Sequence, residues 1–274
     1  MLDTYAGGRS FPPVMALNER RIKLTLHYDG SDFFGWQVQP GVRTVQSELE
    51  AALSRLADRP ISAIAAGRTD RGVHATGQVA SALMPARWSA TSLRRSLNAI
   101  LPGDVWVAEA EDVPAAFHAR YDAVAREYRY RIGTVDAAHS PFHRRWCWPV
   151  PDPLEPDVLD ACAARLGGDQ SFRAFAKSGQ PERGERCVVH RAAWRPWAEL
   201  GLELRIGANR FLHHMVRYLV GTMVDIARAR RPLADMDSLL TNEDGVGTSP
   251  PAPPEGLFLT RVYYSQDEIE REGA

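Results

Sequence analysis

Asp70 lies in the segment Ala66-Gly67-Arg68-Thr69-Asp70-Arg71-Gly72-Val73-His74-Ala75-Thr76-Gly77, a polar stretch with three glycines between two apolar runs. Hairpin connections usually need only about two to five residues, so this one is long for a simple turn. Its glycines let the backbone turn sharply or approach a ligand, and the flanking Arg68 and Arg71 predict a carboxylate held ionised by fixed positive charge. An Arg-x-Asp element by itself describes a structural ion pair equally well, and spacing alone names no reaction. A second chemical segment is Phe117-His118-Ala119-Arg120, followed by a strand over residues 124–132. Alternation puts Val124, Arg126, Tyr128, Tyr130 and Ile132 on one face of that strand and Glu127, Arg129 and Arg131 on the other. Tyrosines there either cover the sheet or stack on a planar ligand while arginine meets phosphate. The third segment, Asn209-Arg210-Phe211-Leu212-His213-His214-Met215-Val216-Arg217, opens a helix. Its arc of Met215, Val216, Leu219, Val220, Met223, Val224 and Ile226 is core, with His214, Arg217, Gly221 and Asp225 on the other side. Arg217 beside Gly221 sits where another backbone can come close, which suits an arginine holding a carboxylate across a cleft. Adjacent His213 and His214 on a helix face different ways, which argues against a two-histidine metal site.

The 274 residues favour two domains at roughly 100 to 200 residues each. With 33 Lys and Arg against 34 Asp and Glu, the chain as a whole is not a basic nucleic-acid binder. Arginines nonetheless cluster over residues 205–231 and 120–131, which predicts a phosphate-bearing partner met on one face. Cys147, Cys162 and Cys187 suit neither a disulfide framework nor a four-ligand zinc site, so a reducing cytoplasm is the expected compartment. His139, His143 and Cys147 recur every four residues, but Pro141 breaks the helix that would align them, and no metal is expected. No segment has the roughly 20 apolar residues of a membrane span.

The positioning elements follow from periodicity. Ile22, Leu24, Leu26 and Tyr28 alternate with polar residues as in a half-buried strand; Thr44 caps a helix running to about residue 57. Strands over 61–66 and 78–83, a helix around Leu93, Leu97 and Ile100, and a strand at 105–107 give the order β-α-β-β-α-β, the ferredoxin-like pattern. The order recurs with strands at 124–132, 186–194, 202–206 and 257–264 and helices at 156–166 and from 212 to about 229. The expected fold is therefore α+β, two ferredoxin-like halves whose antiparallel sheets join around a central cleft. A loose extension covers residues 1–20, the halves span 21–116 and 117–266, and an acidic, frayed tail occupies 267–274. The proline-rich stretch 249–254 reads as a surface connection.

With these residues in view, the chain resembles the tRNA pseudouridine synthases of the TruA type. The resemblance rests on Tyr28-Asp29-Gly30 with Gly35-Trp36-Gln37, on the Gly-Arg-Thr-Asp element with Gly72-Val73-His74-Ala75, on Phe117-His118-Ala119-Arg120, on residues 126–130, on Phe211 to Arg217 and on Glu255-Gly256-Leu257. It runs in order from about residue 20 to about 265. It implies cofactor-free isomerisation of uridine to pseudouridine in the anticodon stem-loop of tRNA, at the positions called 38 to 40, by a homodimer in which one tRNA touches both subunits. By position, it makes Asp70 the catalytic carboxylate, lets Arg68 assist entry of the flipped nucleotide, lays Tyr128 against the uracil and pairs Arg217 with Asp70. Arg71, the N-terminal extension and the heavy proline stretch depart from the usual pattern. Two rivals are weaker: a tandem RNA-binding module lacks its aromatic RNP motif here, and a phosphotransferase lacks a P-loop.

Overall fold

Ile22, Leu24, Leu26 and Tyr28 are buried along the first strand, β1 (Glu19–Tyr28), as their alternation requires. The computed structural model describes residues 19–177 and 184–273, so the expected extension over residues 1–20 lies almost wholly outside the described residues. Helix α1 (Val45–Ala57) starts at Thr44, whose hydroxyl accepts from the Ser47 N–H while Ser47 Oγ accepts from the Thr44 N–H. That reciprocal cap satisfies two of the backbone donors a helix start leaves open. Then follow β2 (Ile64–Ala65), β3 (His74–Pro85), α2 (Ala90–Ile100) and β4 (Val105–Val113). The second half contains β5 (Ala125–Gly133), β6 (Trp148–Pro149), α3 (Pro156–Ala164), β7 (Gly168–Ser171), β8 (Arg186–Trp197), β9 (Gly201–Ala208), α4 (Met215–Ala227), α5 (Ala234–Leu240), β10 (Leu257–Tyr263) and α6 (Gln266–Gly273).

The strands form one mixed sheet in the order β4-β1-β3-β10-β5-β9-β8-β7, with β2 on β3 and β6 on β5. The halves join through a short parallel pairing of β10 with β3, Phe258 opposite His74 and Leu259 opposite Ala75. Gly77 makes room for this seam, since a Cβ there would lie 2.0 Å from the Thr260 carbonyl oxygen. Two apolar cores lie along the sheet: β1, α1, α2 and β3 around Leu24, Leu49, Leu53 and Leu93, and β5, β9, α3, α4 and α5 around Tyr130, Leu159, Leu219 and Met223.

Three expectations need correction. The strand expected over 61–66 is reduced to two residues, because Ile61 and Ala63 bury their side chains without joining the ladder. The acidic tail, expected without regular structure, is helical over Gln266–Gly273, with the Glu268 N–H on Ser265 Oγ and the Tyr264 N–H on the Glu268 carboxylate. The proline-rich stretch is no surface connection. Ser249 and Ala252 are buried, and the chain crosses α4 at Gly221, where a Cβ would meet the Pro250 carbonyl oxygen at 2.1 Å. The Ser249 N–H bonds Thr222 Oγ1, and the Tyr130 hydroxyl donates to the Pro253 carbonyl.

The arginine clusters resolve differently from the expected open patch. On the face of β5 opposite Tyr128 and Tyr130, Glu127 and Glu203 are buried among arginines. Arg131 reaches Glu203 at 3.0 Å, Arg205 reaches it at 3.2 Å, Arg191 meets Glu127 at 3.4 Å, and Arg129 lies 3.8 Å from both acids. Arg228 and Arg230 pair with Asp152, and Arg231 with Asp235. Most of the clustered arginines are therefore paired within the chain, although Arg129, Arg131, Arg191 and Arg205 share only two acids.

Candidate active site

The Asp70 loop is held by the turns that follow β1. Trp36 donates its backbone N–H to the Thr69 carbonyl at 3.0 Å, and the Gly72 N–H reaches the Phe33 carbonyl. Gly30 and Gly35 are required by this packing: a Cβ on the first would lie 2.0 Å from the Val73 carbonyl oxygen, and on the second 2.6 Å from that of Thr69, at a φ of +88°. The Thr69 hydroxyl shares a 2.8 Å hydrogen bond with the buried Tyr28 hydroxyl, and Gln78 ties that hydroxyl to the Gly67 carbonyl. These bonds hold the loop's backbone, with Thr69, Val73 and His74 buried and Arg68, Asp70 and Arg71 left accessible.

Asp70 meets the other half of the molecule. Its Oδ1 lies 3.2 Å from His213 Nε2, and its Oδ2 lies 3.3 Å from His214 Nε2 and 3.9 Å from Arg217 Nη1. Arg217 is in turn fixed by the proline strap: its Nε donates to the Ala252 carbonyl at 2.7 Å, and the Ala252 N–H returns a bond to the Arg217 carbonyl. Arg217 thus approaches Asp70 from the other half of the chain, at 3.9 Å. Arg68 and Arg71, expected to flank the carboxylate, do not pair with Asp70. Arg68 is exposed and has no ion-pair partner among the described residues, and Arg71 lies over the Phe34 ring at 4.1 Å.

His213 and His214 are the residues that the helical reading set aside. Helix α4 begins only at Met215, and His214 precedes it in the left-handed conformation, φ 64° and ψ 4°. A non-glycine residue held there costs about 1 to 3 kcal/mol and is typical of functional sites. The consequence is that the two rings lie side by side, centroids 4.2 Å apart, and both face Asp70. Burial holds the His214 imidazole below its usual value, against the pull of the Asp70 charge. No spacing rule reveals this geometry; the only signal in the sequence is the doubled histidine at the helix entry.

Tyr128 rises from β5 with its ring edge-on to Phe211, centroids 4.9 Å apart. Burial, then the neighbouring Tyr28 and Asp70, push its hydroxyl far above the usual phenol range, so it stays neutral beside the carboxylate. Arg126, read as a phosphate contact, turns inward instead. Its guanidinium donates to the carbonyls of Ala66, Arg120, Ala123 and Asn209 at 2.9 to 3.2 Å. One half-buried side chain therefore binds the start of the Asp70 loop, the Phe117–Arg120 turn and the approach to α4. At the mouth, Arg120 is exposed beside Tyr121, which stacks on His118 at 4.3 Å.

A family model described as tRNA pseudouridine synthase matches residues 25–122 and 162–265, which include Asp70, His213, His214 and Arg217 but not Arg126 and Tyr128. Curated relatives carry the name tRNA pseudouridine synthase A. That of Moorella thermoacetica is 40% identical over 245 residues, 89% of this chain and 99% of the relative. That of Chlorobium limicola is 39% identical over 249 residues, covering 89% and 100%, and that of Geobacillus kaustophilus 38% identical over 249 residues, covering 90% and 96%. The chain belongs to the tRNA pseudouridine synthase family, isomerases that convert uridine to pseudouridine. Among the described residues no helix is long and apolar enough to cross a membrane.

Proposed function

We propose that this protein isomerises uridine to pseudouridine in the anticodon stem-loop of tRNA, at positions 38 to 40, with Asp70 as the catalytic carboxylate. The observation that carries the reading is the meeting of Asp70 from one half with His213, His214 and Arg217 from the other, above the neutral ring of Tyr128. The reaction breaks the bond from N1 to the ribose C1′, turns the uracil, forms the bond from C5 to C1′, and loses the C5 proton while the freed N1 takes one up, so that atoms and charge balance. It needs no redox change and no energy input. Asp70 serves either as nucleophile at C1′ or as the base on a ribose proton, and both roles need an ionised carboxylate with a lone pair open to substrate. Arg217 keeps that charge compensated from the side.

A uridine inside a stem is out of reach, so the nucleotide must be flipped at a cost of a few kcal/mol. Tyr128 offers a face on which the uracil stacks and is retained while it turns, and Arg68, which is exposed, assists its entry. Around the mouth, Arg68, Arg71 and Arg120 supply phosphate contacts. Because most other arginines are already paired, binding should fall about ten- to a hundredfold between 50 and 200 mM salt, the slope of a few contacts. In this reading the protein is a cytoplasmic homodimer with one tRNA touching both subunits, and each half of the sheet is ferredoxin-like. The runs β4-β1-β3 and β10-β5-β9-β8, with α1 and α2 or α3 and α4 as crossovers, support that last description. The decisive experiment incubates purified protein with unmodified tRNA transcript, without cofactor, and analyses nucleosides. Pseudouridine at positions 38 to 40 is expected; its absence overturns the reading.

A further inference from the structure

The donors that surround Asp70 have a second use. Asp70 Oδ, His213 Nε2 and His214 Nε2 all lie within 4.8 Å of one another, and the two carboxylate-to-imidazole distances are 3.2 and 3.3 Å. Zinc binds imidazole nitrogen and carboxylate oxygen at about 2.0 to 2.2 Å, so the edges of its tetrahedron are about 3.3 to 3.5 Å. The two short distances run from different oxygens, Oδ1 to His213 and Oδ2 to His214, so a small rotation of the carboxylate brings one oxygen to the spacing the ion needs. His214 is fixed by its backbone, whereas the ring of His213, 42% exposed, can shift to complete the third edge. The fourth position opens toward the mouth, where water would complete the shell.

The geometry points to a zinc-binding site made of Asp70, His213 and His214, whose occupation by Zn2+ blocks the reaction. Asp70 faces three groups that favour its charge, and a cation placed among them competes with Arg217, 3.9 Å from the same carboxylate, and with the positive charge of Lys177 near His214. That repulsion fits a reversible, inhibitory ion rather than a permanent structural one. A bound ion takes the carboxylate lone pair that would act on the ribose and fills the space below the uracil, so metal and substrate exclude one another. The three cysteines are buried with thiols pushed up to about 11, so they do not compete as ligands.

The inhibition rests on the proposed catalytic role of Asp70; the binding does not, and the experiment separates them. Full-length protein is titrated with Co2+, whose visible absorption reports coordination geometry, and the ion is then displaced with Zn2+. One equivalent with a tetrahedral spectrum is expected, free of sulfur charge-transfer bands. His213→Ala, at the exposed position least able to disturb folding, should weaken binding about tenfold or more, as should Asp70→Asn. An absent spectrum, a sulfur band, or equal affinity in wild type and His213→Ala overturns the site. In parallel, Zn2+ should inhibit pseudouridine formation competitively with tRNA, and His213→Ala should shift the inhibition to about tenfold higher zinc. Saturated metal with undiminished turnover would leave the site standing and remove Asp70 from the reaction.

Discussion

Two aspartates, Asp29 and Asp70, stand at the junction of the halves in similar company, each beside histidine and an arginine from the second half. Asp29 is saturated: Ser31 donates its N–H at 3.0 Å and its hydroxyl at 2.7 Å, Arg145 lies 2.7 Å away, and His74 Nδ1 lies 3.2 Å from the carboxylate. Burial pushes its carboxyl up, but the contacts with His74 and Ser31 more than reverse this and leave it far below the usual carboxylate range. Asp70 receives no backbone N–H or hydroxyl among the described residues; imidazoles and a guanidinium at 3.2 to 3.9 Å are its whole company. A carboxylate whose lone pairs are all taken holds structure together, whereas one compensated in charge but not saturated in hydrogen bonds keeps lone pairs available, as the role proposed for Asp70 requires.

The strongest way to break this contrast is to exchange the oxygens for amides. Asp70→Asn should lower turnover by about a thousandfold or more while the thermal midpoint moves little, and a variant that keeps a substantial rate would erase the distinction. Arg217→Ala should lose about a hundredfold in rate by leaving Asp70 uncompensated, and Arg217→Lys should recover only part, since lysine keeps the charge without the planar fork that also holds Ala252. A near-normal rate for Arg217→Ala would reduce it to a residue of the proline strap. Asp29→Asn should do the reverse, destabilising the fold by about 2 kcal/mol in urea titration with turnover per folded molecule within about threefold of wild type. The smallest effect concerns pH. A carboxyl depressed in the folded state stabilises above its unfolded value of 3.8 and loses that contribution as pH falls toward the folded value, so wild type should weaken between pH 5 and 3 more than Asp29→Asn. Parallel pH curves for the two proteins would show that Asp29 is not the saturated group.

What could be read beforehand follows the same line between local and distant causes. Alternation in β1, the Thr44 cap and the apolar arc of α4 depend on neighbours in the chain, and they were legible. The glycines of the Asp70 loop marked an unusual turn, although their partners, Trp36 and Phe33, lie far off in sequence. Not legible was the left-handed His214, because the conformation is imposed by packing at the start of α4 rather than by the residue itself. The strap over Gly221 was missed for a related reason: prolines signal what a segment cannot form, not what buries it. Arg126 shows the limit most clearly, since a charged residue on an inward face reads as a ligand contact, and only four converging carbonyls make it a fastener.

The placement of β10 bears on how the molecule comes to exist. The strand nearest the end of the chain lies in the middle of the sheet, between β3 and β5. A ribosome therefore delivers Asp70, Tyr128 and Arg217 in turn, yet the seam that joins their halves cannot close until residues 257–263 have emerged. Until then β3 and β5 each expose an open edge, a template for pairing with the wrong chain. Closing a loop over so long a span costs chain entropy, so the seam is expected to form last. A translation product that stops short of β10 lacks the strand that joins β3 to β5.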